Sequence, residues 1–306
     1  MRDERFRDGR AGIDATLVKR LVTGQFPEWA ELQVRPVEVD GWDNRTYRLG
    51  DELTVRMPTA SGYVPAVEKE NRWLPLLAPH LPVPVPVPVA TGLPAEGYPF
   101  PWSIRRWLAG EPVTRANANL TGIAESVAEF VLALQRIDAT GGPAAGAHSF
   151  YRGCSPVYYD DETRAAIASN AGVIDTGSIQ AVWDTALESG WEGRPTWFHG
   201  DIASGNVLVE NGELAAVIDF GTSGVGDPAC DLVVAWTLFS GPSRRIFRMA
   251  VGQDDRTWAR ARGWALWKAL ISLPPDVGED QQKAATELRV INDVIDDHRM
   301  ASRNPG

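Results

Sequence analysis

The sequence predicts an α+β chain in two unequal parts, a small strand-rich lobe followed by a larger, mainly helical one. Three observations carry this. Short alternating apolar runs broken by turn residues fill most of the first hundred positions. Leu120 to Ile137 holds a long amphipathic period, with Leu120, Ile123, Ala124, Val127, Phe130, Val131, Leu134 and Ile137 on one face. Between them, Ala109-Gly110-Glu111-Pro112 marks a break, so the lobes are expected at residues 1–108 and 109–306.

Composition bounds the rest. With 306 residues, 44% of them hydrophobic and 23% charged, the chain can bury a core in each lobe. A net charge of −10 argues against a nucleic-acid partner, because phosphate backbones require basic patches. Cys154 and Cys230 are the only cysteines, and His80, His148, His199 and His298 show no zinc spacing. No run of about 18 apolar residues offers a membrane span, and Met1–Arg7 is charged, without the apolar core of a secretion signal. A cytoplasmic protein is the expectation.

In chain order, Arg45–Leu49 and Leu53–Met57 flank a Gly50-Asp51 turn and predict a hairpin. Val67 to Leu77 predicts the one helix of the first lobe, with Pro75 as an irregularity. In Leu81–Val89 every second residue is proline, which removes alternate backbone donors. That segment reads as a rigid extended connector; the alternative is a ligand for a proline-recognising module. Tyr98–Leu108 predicts a buried strand. After Leu120–Ile137, helical material is expected near Glu162–Ser169 and Ser178–Ser189, after Pro228, and through most of the remainder to Arg299, while Asn304-Pro305-Gly306 reads as a frayed end.

The chemistry concentrates at residues 199–221. Val207-Leu208-Val209 and Leu214–Ile218 are apolar runs separated by Asn211-Gly212, a strong two-residue hairpin signal. Such a hairpin returns Asp219 to the end that carries Asn206, with Asp201 five residues earlier in a loop loosened by Gly200 and Gly205. A carboxylate, a carboxamide and a second carboxylate then converge, an oxygen donor set suited to magnesium, which takes its other ligands from phosphates and water.

His199-Gly200-Asp201, Asn206 and Asp219-Phe220-Gly221, followed by Gly226-Asp227-Pro228-Ala229-Cys230-Asp231, resemble the catalytic and metal-binding motifs of the aminoglycoside phosphotransferase family. This is the antibiotic and choline kinase branch of the protein-kinase-like superfamily. The resemblance implies a bilobal kinase-like fold and a magnesium-dependent kinase. Asp201 is then the base that orients the acceptor hydroxyl, Asn206 and Asp219 are the magnesium ligands, and Asp231 buttresses the catalytic loop. It also implies a phosphate-binding cation on the third strand paired to a helix carboxylate. Arg56 and Glu70 fill these places, with Lys69 and Glu68 as alternatives. Gly41 and Asn44, in Gly41-Trp42-Asp43-Asn44, stand where a phosphate-covering loop belongs, although the Gly-x-Gly-x-x-Gly pattern is absent. The nucleotide base is expected near Arg105, Arg106, Trp107 and Leu108, where Trp102 and Trp107 are either stacking platforms or core.

These features predict transfer of the γ-phosphate of ATP, or of GTP, to a hydroxyl of a small molecule. The first candidate is an aminoglycoside-like or other antibiotic, and the alternative is a small metabolite such as an amino alcohol or sugar. A protein kinase fits poorly, because Gly226-Asp227-Pro228 leaves no room for an activation segment. A non-catalytic nucleotide-binding module fits poorly because Asp201, Asn206 and Asp219 are all present. Asp160-Asp161-Glu162, Asp254-Asp255 and Glu279-Asp280 are either acceptor-cleft carboxylates or solvated acidic faces; Trp236, Trp264 and Trp267 are either a pocket wall or core. The sequence leaves the oligomeric state open.

Overall fold

A computed structural model describes residues 9–38, 40–274 and 280–303 of the chain. The charged Met1–Arg7, Glu279 and the terminal Asn304-Pro305-Gly306 lie outside the described residues. The described chain falls into two compact units. One comprises the N-terminal residues to Gly110 together with Ala215–Gly221; the other comprises Glu111–Leu214 and the residues from Thr222 onward. A single cut after Leu108 therefore omits one feature, the return of the Asp219-Phe220-Gly221 segment to the first unit.

The first unit is built on a five-stranded antiparallel sheet: β1 (Val34–Pro36), β2 (Asn44–Leu49), β3 (Leu53–Pro58), β4 (Pro88–Gly92) and β5 (Trp102–Arg106), in the order β1-β2-β3-β5-β4. Two helices accompany it, α1 (Ala15–Gln25) and α2 (Val64–Leu77). The sequence reading of one helix missed α1. Its signals were Asp14, whose side chain accepts from Leu17 N–H as an N-cap, and an apolar stripe of Leu17, Val18, Leu21 and Val22. That stripe packs on Tyr47, Leu49, Val55, Met57, Trp102 and Ile104 as a single core. The helix expected from Val67 begins at Val64, because Pro65 suits a first turn; Pro75 does not end it. Gly92 and Trp102 face each other across β4 and β5, and only a glycine leaves room for the indole ring there.

The second unit is mainly helical: α3 (Leu120–Arg136), α4 (Asp160–Ser169), α5 (Thr176–Glu188), α6 (Val234–Thr237), α7 (Gly241–Val251), α8 (Asp255–Ser272) and α9 (Gln281–Arg303). The segment after Pro228 is a 3₁₀ turn through Val233 leading into the four-residue α6, not one continuous helix. Helix α8 is buried on nearly every side among α5, α9 and that 3₁₀ turn. Its two inward arginines are neutralised, Arg260 by Asp227 at 2.6 Å and Arg262 by Asp297 at 2.9 Å. Gly263 lets α8 approach α5 closely, since a Cβ there would lie 2.6 Å from that of Ala186.

Short strands β6 (Glu111–Pro112), β7 (Thr196–Phe198), β8 (Val207–Glu210), β9 (Glu213–Val217) and β10 (Gly224–Gly226) frame residues 199–223. They pair as β6-β8-β9 and β10-β7. The turn between β8 and β9 has Asn211 at φ 53° and Gly212 at φ 84°, the two left-handed positions of a type I′ hairpin. Among the described residues no helix is long and apolar enough to cross a membrane.

Gly92→Ala places a Cβ 1.9 Å from the Trp102 ring. It should destabilise the protein by about 1–3 kcal/mol through overpacking, read as a lower urea midpoint. An unchanged midpoint would show that the indole can move aside.

Candidate active site

In the first unit the site is organised by one buried carboxylate. Glu70, on α2, is 3% exposed. Its two oxygens accept from Arg105 of β5, at 2.7 Å from Nη2 and 3.2 Å from Nη1. Arg56 of β3 lies 3.6 Å away and reaches onward to Asp219, at 3.1 Å from Oδ1. Burial by itself raises the Glu70 pKa, but Arg105, then Arg56, outweigh it and hold it at about 2. Arg56 opposes its own burial in the same way: Glu70 and Asp219 keep its pKa above the usual value. Lys69 donates to the Gly221 carbonyl at 2.7 Å, and burial brings its pKa down to about 8. Both alternatives for the phosphate-binding cation thus contact the 219–221 segment, Arg56 by its guanidinium and Lys69 by its ammonium. Asp219 stands at φ 68°, a left-handed conformation uncommon for a residue with a side chain and typical of functional positions.

The other nucleotide-site candidates of this unit are spread around it. Gly41 and Trp42 are tied by their carbonyls to Arg10, at 3.0 and 2.6 Å, and Asn44 opens β2 opposite Pro58. Arg106 and Leu108 line a groove of about 380 Å³ with the proline-rich 81–87 segment. Trp102 is core, whereas Trp107 is 39% exposed with the Arg48 guanidinium 4.0 Å above its ring. Arg105, considered from sequence only as a neighbour of the base, is the main partner of Glu70.

In the second unit the loop after β7 is held by its own backbone. Asp231, fully buried in the 3₁₀ turn, accepts from His199 N–H at 2.8 Å and Gly200 N–H at 2.6 Å. Burial pushes the Asp231 carboxyl up. Thr222 Oγ1 donates to the His199 carbonyl at 3.0 Å, and Asp201 N–H donates to His199 Nδ1 at 3.2 Å, so His199 is bonded within the loop through both its carbonyl and its ring.

Asp201 is engaged at both oxygens. Lys268 Nζ donates to Oδ1 at 2.5 Å, and Asn206 Nδ2 donates to Oδ2 at 3.1 Å and to the Asp201 carbonyl at 2.8 Å. Burial by itself raises the Asp201 pKa; the Lys268 ammonium outweighs it and keeps the group below the ordinary carboxylate value. Asp201 is thus ionised at neutral pH. A small pocket of about 10 Å³ opens beside it, lined by Arg152, Cys230, Trp264, Trp267 and Lys268 among others.

Among the described residues, none of Asp160, Asp161, Glu162, Asp254, Asp255 and Asp280 lines this pocket. Asp160 pairs with Arg164 and accepts from Trp183 Nε1, Glu162 accepts from Trp267 Nε1 at 2.7 Å, Asp254 caps α8, and Asp255 pairs with Arg248. Trp236 is core beside Trp258, while Trp264 and Trp267 are both buried and pocket-lining. Sequence reasoning missed Arg152 and Lys268. The available signal for Lys268 was its place four residues after Trp264 and one after Trp267, on the same helix.

Two outcomes test this geometry. Glu70→Gln leaves the buried Arg105 guanidinium and the half-buried Arg56 underpaired and should cost about 3–5 kcal/mol at neutral pH. Because the Glu70 pKa is depressed on folding, its contribution is complete above the ordinary value of 4.5 and fades as pH falls toward 2. The gap between variant and wild-type melting temperatures should therefore narrow over that window; a gap independent of pH would refute the pairing. Asp231→Ala strands two buried N–H donors and should destabilise the protein by about 1–3 kcal/mol for each, measured by urea denaturation.

The sequence profile described as the phosphotransferase enzyme family matches residues 33–264. Similar folds occur in the GDP complex of aminoglycoside 2′-phosphotransferase-IIIa, at 17% identity and TM-score 0.68, covering 94% of this chain and all of that one. The apoenzyme of a macrolide 2′-phosphotransferase from Brachybacterium faecium is similar at 21% identity and TM-score 0.58, covering 91% and 98%. No curated protein sequence matches. The two units thus have the kinase-like fold of the aminoglycoside phosphotransferases, and the family match spans most of the chain, including Arg56, Glu70, Asp201, Asn206 and Asp219. The chain belongs to the phosphotransferase enzyme family and is a small-molecule kinase.

Proposed function

We propose that the protein catalyses magnesium-dependent transfer of the γ-phosphate of ATP, with GTP as the alternative donor, to a hydroxyl of a small molecule. An antibiotic alcohol is the first candidate acceptor. The observation that carries this reading is Asp201, a carboxylate fixed at both oxygens by Lys268 and Asn206 beside a pocket. Phosphoryl transfer asks a protein mainly for positioning and charge stabilisation. Asp201 orients the acceptor hydroxyl and accepts its proton, and Asn206 holds Asp201 in place. Arg56, steadied between Glu70 and Asp219, binds nucleotide phosphate; guanidinium geometry suits that role.

The donor chemistry of Asn206 and Asp219 suits a magnesium ion. Asn206 turns its amide nitrogen to Asp201, which leaves its carbonyl oxygen as a neutral ligand, and Asp219 supplies a carboxylate. When bound, the ion neutralises phosphate charge. Solved structures of similar fold include GDP complexes of aminoglycoside phosphotransferases, and macrolide phosphotransferases are also among the neighbours, which favours a nucleotide donor and an antibiotic acceptor. A second reading, a kinase of a small metabolite, is favoured by the cations Arg152 and Lys268 in the pocket. A cytoplasmic enzyme without nucleic-acid or membrane partners is consistent with either.

The test is a magnesium-dependent transfer screen with ATP and GTP against aminoglycosides, macrolides, amino alcohols and sugars. Asp201→Asn should lower transfer by roughly a hundredfold or more while nucleotide affinity stays unchanged. Asp219→Ala should weaken magnesium-dependent nucleotide binding, measured by calorimetry. Transfer at wild-type rate in the first variant, or unchanged affinity in the second, removes the assigned role.

A further inference from the structure

Hydrogen-bond polarity distinguishes the pocket beside Asp201 from an ammonium-binding site. Arg152 makes no ion pair among the described residues; it donates to the Phe150 carbonyl at 3.4 Å, and its guanidinium lies 5.1 Å over the Trp267 ring. A guanidinium has five donors, so most of them remain to be used. Lys268 gives Asp201 one of its three. Trp264 is 2% exposed, lines the same pocket, and its buried indole N–H has no acceptor.

Among the described residues Asp201 is the only carboxylate lining the pocket, and it is already paired. Glu162 is turned to Trp267 Nε1, whose ring is stacked on Tyr159 at 4.1 Å. Glu287 of α9 feels the Lys268 charge, and it is not part of the pocket lining. A polycationic acceptor would set ammonium groups against Arg152 and Lys268 with one shared carboxylate between them.

We infer that the acceptor is an alcohol carrying an anionic group, a carboxylate or a phosphate monoester, with Arg152 and Lys268 recognising that group and the Trp264–Trp267 wall packing its apolar part. This rests on the phosphotransferase reading and narrows its acceptor. Arg152 supplies the fork that matches two oxygens, held in orientation by the Trp267 face. Lys268 keeps its bond to Asp201 and turns its remaining donors to the anion.

The test uses four ring alcohols that differ in one substituent: 3-hydroxycyclohexane carboxylate, its carboxamide, 3-hydroxycyclohexyl phosphate and 3-hydroxycyclohexylamine. Each is titrated calorimetrically into full-length protein holding magnesium and a non-hydrolysable ATP analogue. One or both anions should bind at least about tenfold tighter than the amide, and the amine weakest. The stronger of the two anions tells which is the cognate group. Arg152→Met should erase the preference. Arg152→Lys, which keeps charge and stem and guards against a folding defect, should keep anion ahead of amine while weakening both anions. Equal or tighter amine binding, anion binding undiminished in Arg152→Met, or no anion binding overturns the inference. Binding of the ATP analogue, measured first on the same protein, separates the two levels. Its loss refutes the phosphotransferase reading, and its presence without anion preference refutes the acceptor class alone.

Discussion

A carboxylate removed from water has to be paired, and much of the first unit is arranged around meeting that requirement for Glu70. The helix α2 brings it in, β5 answers with Arg105, and β3 adds Arg56. Two guanidiniums on one carboxylate leave positive charge over, and Asp219 takes part of it. This explains a topological oddity. Residues 215–221 are distant in sequence from the rest of the first unit, yet they belong to it, because Arg56 and Lys69 hold Asp219 and Gly221 by side-chain contacts. Removing either partner of a buried pair costs far more than the pair itself contributes, so the arrangement tolerates little change at any of its members.

The second unit solves a related problem with backbone donors. Two successive N–H groups, of His199 and Gly200, point at the single carboxylate of Asp231. That fixes the peptide immediately before Asp201 and therefore the direction in which the Asp201 side chain leaves the loop. The 3₁₀ turn that carries Asp231 packs on α8, and α8 carries Lys268 to Asp201. The same helix is braced at Arg260 and Arg262 by Asp227 and Asp297. Loop and helix are thus positioned against each other by ion pairs and hydrogen bonds within one unit.

Elements whose information is local were legible in the sequence. The β2–β3 and β8–β9 hairpins follow from alternation and from Gly50-Asp51 and Asn211-Gly212. Helix α3 follows from its period. Helix α1 was overlooked although its cap and stripe were present, because the strand signals after it dominated that lobe. The residues after Pro228 form a 3₁₀ turn because Pro228, Asp231 and the buried Cys230 serve the loop beside them rather than an apolar helix face. Arg105 could not be assigned to Glu70 from sequence: which arginine on neighbouring strands meets the helix carboxylate is decided by sheet register.

The site divides along the same line. His199, Asp201, Asn206 and Asp219 lie within 21 residues of one another, so their shared chemistry could be read as a unit. The pocket beside Asp201 gathers residues 152, 200–202, 230, 233, 264, 267 and 268, and its Trp267 and Lys268 fall beyond the stretch matched by the family. The motif residues are therefore contiguous in sequence, whereas the pocket is built from separate side chains on separate elements. Lys268 touches both, since it keeps Asp201 ionised and adds a cation to the pocket wall. A substitution that removed its charge would also raise the Asp201 pKa, so the charge of that wall is tied to the protonation state of the carboxylate beside it.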